Sequence, residues 1–301
     1  MKRFAHGGAL AVVLAALLWS VDGLLRRHLY SLPPSVIVFW EHCLGLVFLL
    51  PFLWKSREKF RELTKKQWWS MSLVALMSGA LGTILYTAAL GRIQYIPFSV
   101  VVLLQQLNPV FAIGAAALLL RERLTAKFLG LSLIALAGAY LVTFPHLTVN
   151  LATGKGTITA ALLAVGAAAC WGIGTAFSKY ALRGTSYPHV TAIRFGLTAV
   201  ISLGFVFGSG SAHAVSSLTQ TQFFYLLAIT CSTGLVALLI YYYGLQRVAA
   251  SRAAVLELAW PLSAVLVGWL FLHQGLTLTQ ALGAVVLIGT TYLLTLQTTE
   301  Q

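Results

Sequence analysis

The amino-acid sequence predicts an all-α membrane protein, ten transmembrane helices in two inverted five-helix repeats, and three observations carry that reading. Hydrophobic residues make up 59% of the chain and charged residues only 9%, a balance far from that of soluble domains. Ten apolar segments follow one another with short polar joints, each near the roughly 20 residues that a spanning helix needs. The chain also repeats itself at a shift of 152 positions, the difference between Trp19 and Trp171.

In order, the segments run Gly8 to Leu25, Ser35 to Leu53, Ser70 to Leu90, Phe98 to Leu120, Lys127 to Phe144, Thr157 to Tyr180, Pro188 to Phe207, Gln222 to Leu245, Ala249 to Leu272 and Thr279 to Leu296. They are apolar on every face and about twice the length of the alternating strands of a membrane β-barrel. At the common shift Val13, Ala15, Ala16 and Trp19 fall on Val165, Ala167, Ala168 and Trp171. Gln94 falls on Gln246, Pro109 on Pro261, Leu124-Thr125 on Leu276-Thr277 and Tyr140-Leu141 on Tyr292-Leu293. Residues 1–147 are thus expected to form the first repeat and 157–298 the second. Five spans per copy turn the second upside down, the architecture of an alternating-access carrier.

The net charge of +13 is a topology signal and needs no nucleic-acid partner. With the amino terminus in the cytoplasm, Lys2, Arg3, Lys55, Arg57, Lys59, Arg61, Lys65, Lys66, Arg121, Arg123, Lys127, Lys179, Arg183, Arg247 and Arg252 all fall inside. Only Arg26, Arg27, Arg92 and Lys155 fall outside, with Arg194 within a span. That asymmetry predicts a multi-pass inner-membrane protein with both termini cytoplasmic. The basic, apolar opening reads as a retained first helix, since nine more spans follow it and no small-residue cleavage pattern does. Cys43, Cys170 and Cys231 sit in three different spans without metal-type spacing, so they read as packing and no metal or cofactor is expected. Lys155, in Thr153-Gly154-Lys155-Gly156-Thr157, lacks phosphate-loop spacing and reads as a linker between halves.

With the halves aligned, the chain resembles the drug/metabolite transporter superfamily, EamA type. The resemblance rests on the Trp in each first span, on Pro97-Phe98-Ser99 to Asn108-Pro109-Val110 with its copy Ala249-Ala250-Ser251 to Trp260-Pro261-Leu262, and on Arg121-Glu122-Arg123-Leu124-Thr125. The second copy of that last turn departs from the pattern, reading His273-Gln274-Gly275-Leu276-Thr277. The resemblance covers nearly the whole chain and implies ten spans, carriage of small metabolites and export. It does not choose among amino acids, amines, sugars and other metabolites.

Charge inside the bilayer costs at least ~2.5 kcal/mol per residue and marks candidate functional sites. Three of only seven acidic residues, Asp22, Glu41 and Glu257, lie in spans. Glu257 leads: Pro261 cannot donate to its carbonyl, just as Pro109 cannot donate to that of Gln105. Each half therefore pairs a broken helix with a polar side chain in its fourth span, where backbone is expected to line a cavity. Glu257 is the proton-coupling candidate; its structural alternative is a kink neutralised by protonation or by an Arg. Asp22 shares a face with Trp19 and can pair with Arg26 four residues on; Gly174 stands in its place in the second copy. Glu41 and His42 point about 100° apart and are not both expected to face the cavity fully. His42 is repeat-matched to Arg194, and both are expected to pair with carboxylates or carbonyls.

Trp19, Trp171 and Trp260 lie near mid-span, where an aromatic wall suits cations or flat metabolites, whereas Trp54, Trp68 and Trp69 read as an interfacial belt. Of Tyr241, Tyr242 and Tyr243, one or two can line a cavity. Tyr86, Gln105, Gln106 and Asn108 add hydrogen-bonding groups. The aromatic walls, with both an acid and a base, lead to a small amino acid, an amine or a related metabolite as expected substrate, carried by a secondary active transporter, proton-coupled or as a uniporter or exchanger. The pocket is expected between the first, third and fourth helices of each half. Two rivals are a channel or scaffold and a lipid-modifying enzyme. The enzyme is disfavoured because His42 is the lone His in the interior of a span and neither HExxH nor GxSxG occurs. The sequence carries no signal of oligomeric state.

Overall fold

The computed structural model describes residues 2–60, 62–92, 98–144, 147, 156–263 and 277–297, and these are helices and their connections, without strands. Eight helical stretches are long and apolar enough to cross a membrane, and a shorter apolar run covers Leu103–Leu119. The ninth expected span lies partly outside the described residues, as do Gln94, Pro97, Lys155 and His273 to Leu276.

The first span is α1 (Lys2–Trp19) and α2 (Asp22–Arg26), and the second is α3 (Pro34–Lys55). The third is α4 (Lys65–Val74), a π-helical segment (Ala75–Leu81) and α5 (Gly82–Leu90). The fourth is α6 (Phe98–Gln105) and α7 (Asn108–Leu119), and the fifth is α8 (Ala126–Thr143). In the second half α9 (Thr157–Ala181) and α10 (Tyr187–Gly208) are unbroken. They lead to α11 (Gln220–Ile229), a second π-helical segment (Thr230–Gly234) and α12 (Leu235–Leu245). Helix α13 (Ala250–Leu256) stops at Glu257, helix resumes over 259–263, and α14 (Leu278–Gln297) closes the chain.

Both fourth spans break where proline dictates. Pro109 and Pro261 leave the carbonyls four residues earlier without their helical donors, and turns interrupt the helices at residues 106–107 and 257–258. The third spans break differently. Each contains a π-helical segment, and Ser78 of the first matches Thr230 of the second at the 152-residue shift. A π segment widens the turn and redirects carbonyls from the helix to outside donors.

Like elements of the two halves meet: α3 packs on α10, α8 on α14 and α7 on α13, while α1 packs on α12 and α9 on α4 and α5. Small residues allow the closest approaches, as expected where lipid offers no competing hydrophobic drive. A Cβ on Gly244 would lie 2.6 Å from the Gly8 carbonyl oxygen, and one on Gly172 would lie 2.6 Å from that of Asn108. Apolar side chains such as Leu118, Ile158, Val200 and Val285 point outward, as lipid-facing surface requires.

One end of the bundle is tied by charge. Lys179 Nζ donates to the carbonyls of Leu245 (2.8 Å), Gln246 (3.2 Å) and Val248 (2.7 Å), capping α12. The Glu122 carboxylate accepts from the amides of Ala250 (2.8 Å) and Ser251 (3.1 Å), capping α13 across the halves. Gln67 bonds the Arg183 carbonyl and Thr185 at the same end. The sequence left Glu122 without a role, because its acceptor duty is to a helix start 128 residues away.

Candidate substrate cavity

The broken spans surround a cavity of about 200 Å³. All fourteen candidate site residues border it: Trp19, Asp22, Glu41, His42, Tyr86, Gln105, Asn108, Pro109, Trp171, Arg194, Tyr241, Glu257, Trp260 and Pro261. Gln106, Ser78, Thr175, Thr233 and Phe195 border it too.

Its two aromatic walls are built by reciprocal exchange between halves. Trp19 Nε1 donates to the Thr233 carbonyl in the second π segment (2.9 Å) and its ring packs on Tyr241 at 5.1 Å. Trp171 Nε1 donates to the Ser78 carbonyl in the first π segment (3.1 Å) and its ring packs on Tyr86 at 5.2 Å. In both cases the tyrosine lies eight residues beyond the acceptor. An indole N–H in hydrocarbon needs an acceptor, and a carbonyl released by a π segment supplies one that an intact helix would not. Residue i+3 from each Trp meets the same acceptor residue. Asp22 Oδ1 accepts from Thr233 Oγ1 at 2.7 Å, while a Cβ on Gly174 would collide with Ser78 Oγ. The glycine in place of Asp22 is therefore a fit to Ser78.

The acid and base groups divide into three sets. In the first, the Arg26 guanidinium bonds Asp22 bidentately (2.8 and 3.0 Å), Glu41 Oε2 at 3.1 Å and Thr87 Oγ1 at 3.3 Å. Arg26 is 2% exposed, and its pairing with Asp22, expected from their spacing, is joined by Glu41 of the next span. An Arg at the end of an apolar run is drawn inward when two carboxylates share its donors. In the second set Glu257 accepts from Tyr241 Oη at 2.5 Å and from Asn108 Nδ2 at 2.8 Å. The described residues place no cation within ion-pair distance of it. In the third, Arg194 donates to Tyr242 Oη (2.8 Å) and to the Ser78 carbonyl (3.2 Å), leaving its Nε buried without an acceptor.

Glu41 and His42 both border the cavity, but they diverge. They flank α3: Glu41 reaches Arg26, while His42 donates from Nδ1 to the Val38 carbonyl at 2.8 Å and packs on Phe195. Of the three consecutive tyrosines Tyr241 borders the cavity, Tyr242 supports Arg194, and Tyr243 lies under the Arg247 guanidinium. The described residues contain no His/Cys/Asp/Glu group that could hold a metal. Three carboxylates and two guanidiniums border the cavity.

The sequence matches the model of the EamA-like transporter family twice, over residues 6–144 and 158–296. The chain belongs to the EamA-like transporter family. A riboflavin transporter, ImpX, of Fusobacterium nucleatum is 34% identical over 93% of this chain and 95% of its own length. A riboflavin transporter of Brucella anthropi is 23% identical over 86% of this chain and 87% of its own. The uncharacterized inner membrane transporter YicL of Salmonella typhimurium is 26% identical over 96% and 95%. A crystal structure with 18% sequence identity superposes with a TM-score of 0.75, covering 96% of this chain and 98% of its own; that similarity shows the fold. The chain is accordingly an integral, multi-pass membrane protein of a transporter family, built as two EamA repeats.

Proposed function

We propose that this EamA protein is a secondary carrier of riboflavin or a closely related flat heteroaromatic compound, working by alternating access. The observation that carries the reading is the pair of exchanged Trp–Tyr walls around one cavity, in a chain 34% identical to a riboflavin transporter. Two indoles bordering one cavity suit a planar ring through stacking, and the amides and hydroxyls on the same border suit a ligand rich in hydrogen-bonding groups. An amino acid or amine, the class expected from the charged residues, has no support among these relatives. Two of the three carboxylates are also already spent on Arg26.

The arrangement of the halves supports alternating access. The exchange of first and third spans, with second, fourth and fifth spans meeting their own counterparts, supports ten spans in two inverted repeats, residues 1–147 and 157–298. The clustering of Lys179, Glu122 and Gln67 contacts at one end, together with the basic loops, supports a cytoplasmic location for that end and for both termini. Each Trp is held by the opposite half, so rocking one half against the other moves both walls together.

Within this reading Glu257 is the proton-coupling group. It faces the cavity with no cation partner among the described residues, and its two donors, Tyr241 and Asn108, come from different halves. Taking up or releasing a proton would alter the link between the two broken helices. Riboflavin flux into proteoliposomes should quicken when the uptake side is made more acidic, and Glu257→Gln should abolish that response while leaving flavin binding within about threefold. An unchanged pH response in the variant would remove Glu257 from coupling and leave the flavin reading to its own test.

A further inference from the structure

Toward the end of the bundle that holds Lys179 and Gln67, the broken fourth spans run from the cavity as α7 and α13. Helix α7 starts at Asn108 and α13 stops at Glu257, and both residues border the cavity. The two helices pack on each other and are tied at both ends. At the cavity end Asn108 Nδ2 donates to Glu257 Oε2 at 2.8 Å. At the far end the Glu122 carboxylate accepts three hydrogen bonds from the start of α13, from the amides of Ala250 (2.8 Å) and Ser251 (3.1 Å) and from the Ser251 hydroxyl (2.5 Å).

The backbone delivers Glu122 to that place. Beyond Leu119 the amides of Leu120 and Glu122 both turn back to the Ala116 carbonyl, at 3.1 and 3.2 Å, and Arg121 between them has a φ of 55°. Such a turn usually falls to glycine, and a residue with a side chain keeps it only where the surroundings over-determine it. Glu122 belongs to the first half and its three donors to the second, so the turn carries a charged tie between halves. Gln67 and Ser70 also bridge the halves at this end, but as neutral groups, and hydrogen bonds to an ionised acceptor are about twice as strong. All seven residues of α13 are buried, which leaves the seam shut. Yet Ala112, Ala115 and Ala116 of α7 and Ala250, Ala253 and Ala254 of α13 are prominent among the buried residues, and small side chains surrender little apolar contact when helices part.

A carrier that works by alternating access opens its cavity to each face in turn. We propose that α7 and α13 form the gate on this face and that Glu122 is its latch. The structure has the gate shut, and opening it requires Glu122 to release Ala250 and Ser251 while Asn108 and Glu257 separate at the other end. The inference rests on the alternating-access reading above and is independent of the choice of substrate.

Thr175→Cys, at the cavity border on α9, reports access once Cys43, Cys170 and Cys231 are replaced by Ala. Its alkylation by a membrane-impermeant maleimide is followed in sealed vesicles of both orientations, and Lys66→Cys, at an exposed position beside Gln67, identifies the face that carries Glu122. With the latch intact, Thr175→Cys should react mainly from the opposite face. Glu122→Gln keeps the shape and removes the charge, and should speed reaction from the Glu122 face about tenfold without speeding it from the other. Ser251→Ala removes one donor of three and should act on the same face, severalfold. Faster reaction from both faces would mean a general loosening and would overturn the latch, as would rates that neither variant changes. Equally fast reaction from both faces before either substitution would overturn alternating access and the gate with it.

Discussion

Replacing Arg26 with Met should destabilise the folded protein by about 3–5 kcal/mol, the cost of removing one partner from a buried ion pair. Arg26 is the shared partner of Asp22 and Glu41, bonded to both while also reaching Thr87. Without it two carboxylates would be left in the interior of a bundle, and the link from α2 through α3 to α5 would be lost. In purified protein the thermal transition should fall by roughly 10 °C, given the few degrees per kcal/mol of domains this large. Asp22→Asn with Glu41→Gln, added to Arg26→Met, should recover most of the loss, because neutral amides at those places need no cation. Arg26→Lys should fall between, since an ammonium cannot match a bidentate and a second carboxylate at once. A transition unchanged by Arg26→Met would contradict the cluster as a structural tie.

Trp171→Ala should weaken riboflavin binding about thirtyfold or more, in the range of a binding hot spot. The substitution removes an aromatic wall and the partner of Tyr86, and leaves the Ser78 carbonyl with one donor fewer. Trp171→Phe keeps a ring but not the indole N–H, and should weaken binding only about fivefold, near one hydrogen bond's worth. Because Trp19 stands in the same relation to Thr233 and Tyr241, Trp19→Ala should weaken binding to a similar degree. Titration of each purified variant with riboflavin gives these numbers. A large effect at one Trp and none at the other would mean that the two walls do not enclose one ligand.

Much of the candidate site was legible in the sequence because its signals are local. Pro109 and Pro261 act on carbonyls four residues back, so the broken helices could be placed from spacing alone. Trp19 and Trp171 stood out through the repeat, and Asp22, Glu41 and Glu257 through the expense of charge in lipid. What escaped depends on partners far along the chain. Both π-helical segments are joined to a Trp of the other half, and nothing within Ala75–Leu81 or Thr230–Gly234 announces that. Arg26 was matched to Asp22 by spacing, but its second partner, Glu41, lies on the next span, where hydropathy cannot see it. The same holds for the charges behind the expected amino acid or amine: read one at a time they looked available, whereas in the fold Asp22 and Glu41 are both bonded to Arg26.

The central claim, that one cavity shared by two repeats carries a flavin from one face of the membrane to the other, is tested most directly by counterflow. Proteoliposomes preloaded with unlabelled riboflavin should take up labelled riboflavin in a saturable manner and faster than empty ones, and Trp171→Ala should abolish the acceleration. Uptake that rises linearly with concentration and ignores internal riboflavin would contradict alternating access, and no protein-dependent uptake at all would contradict the substrate.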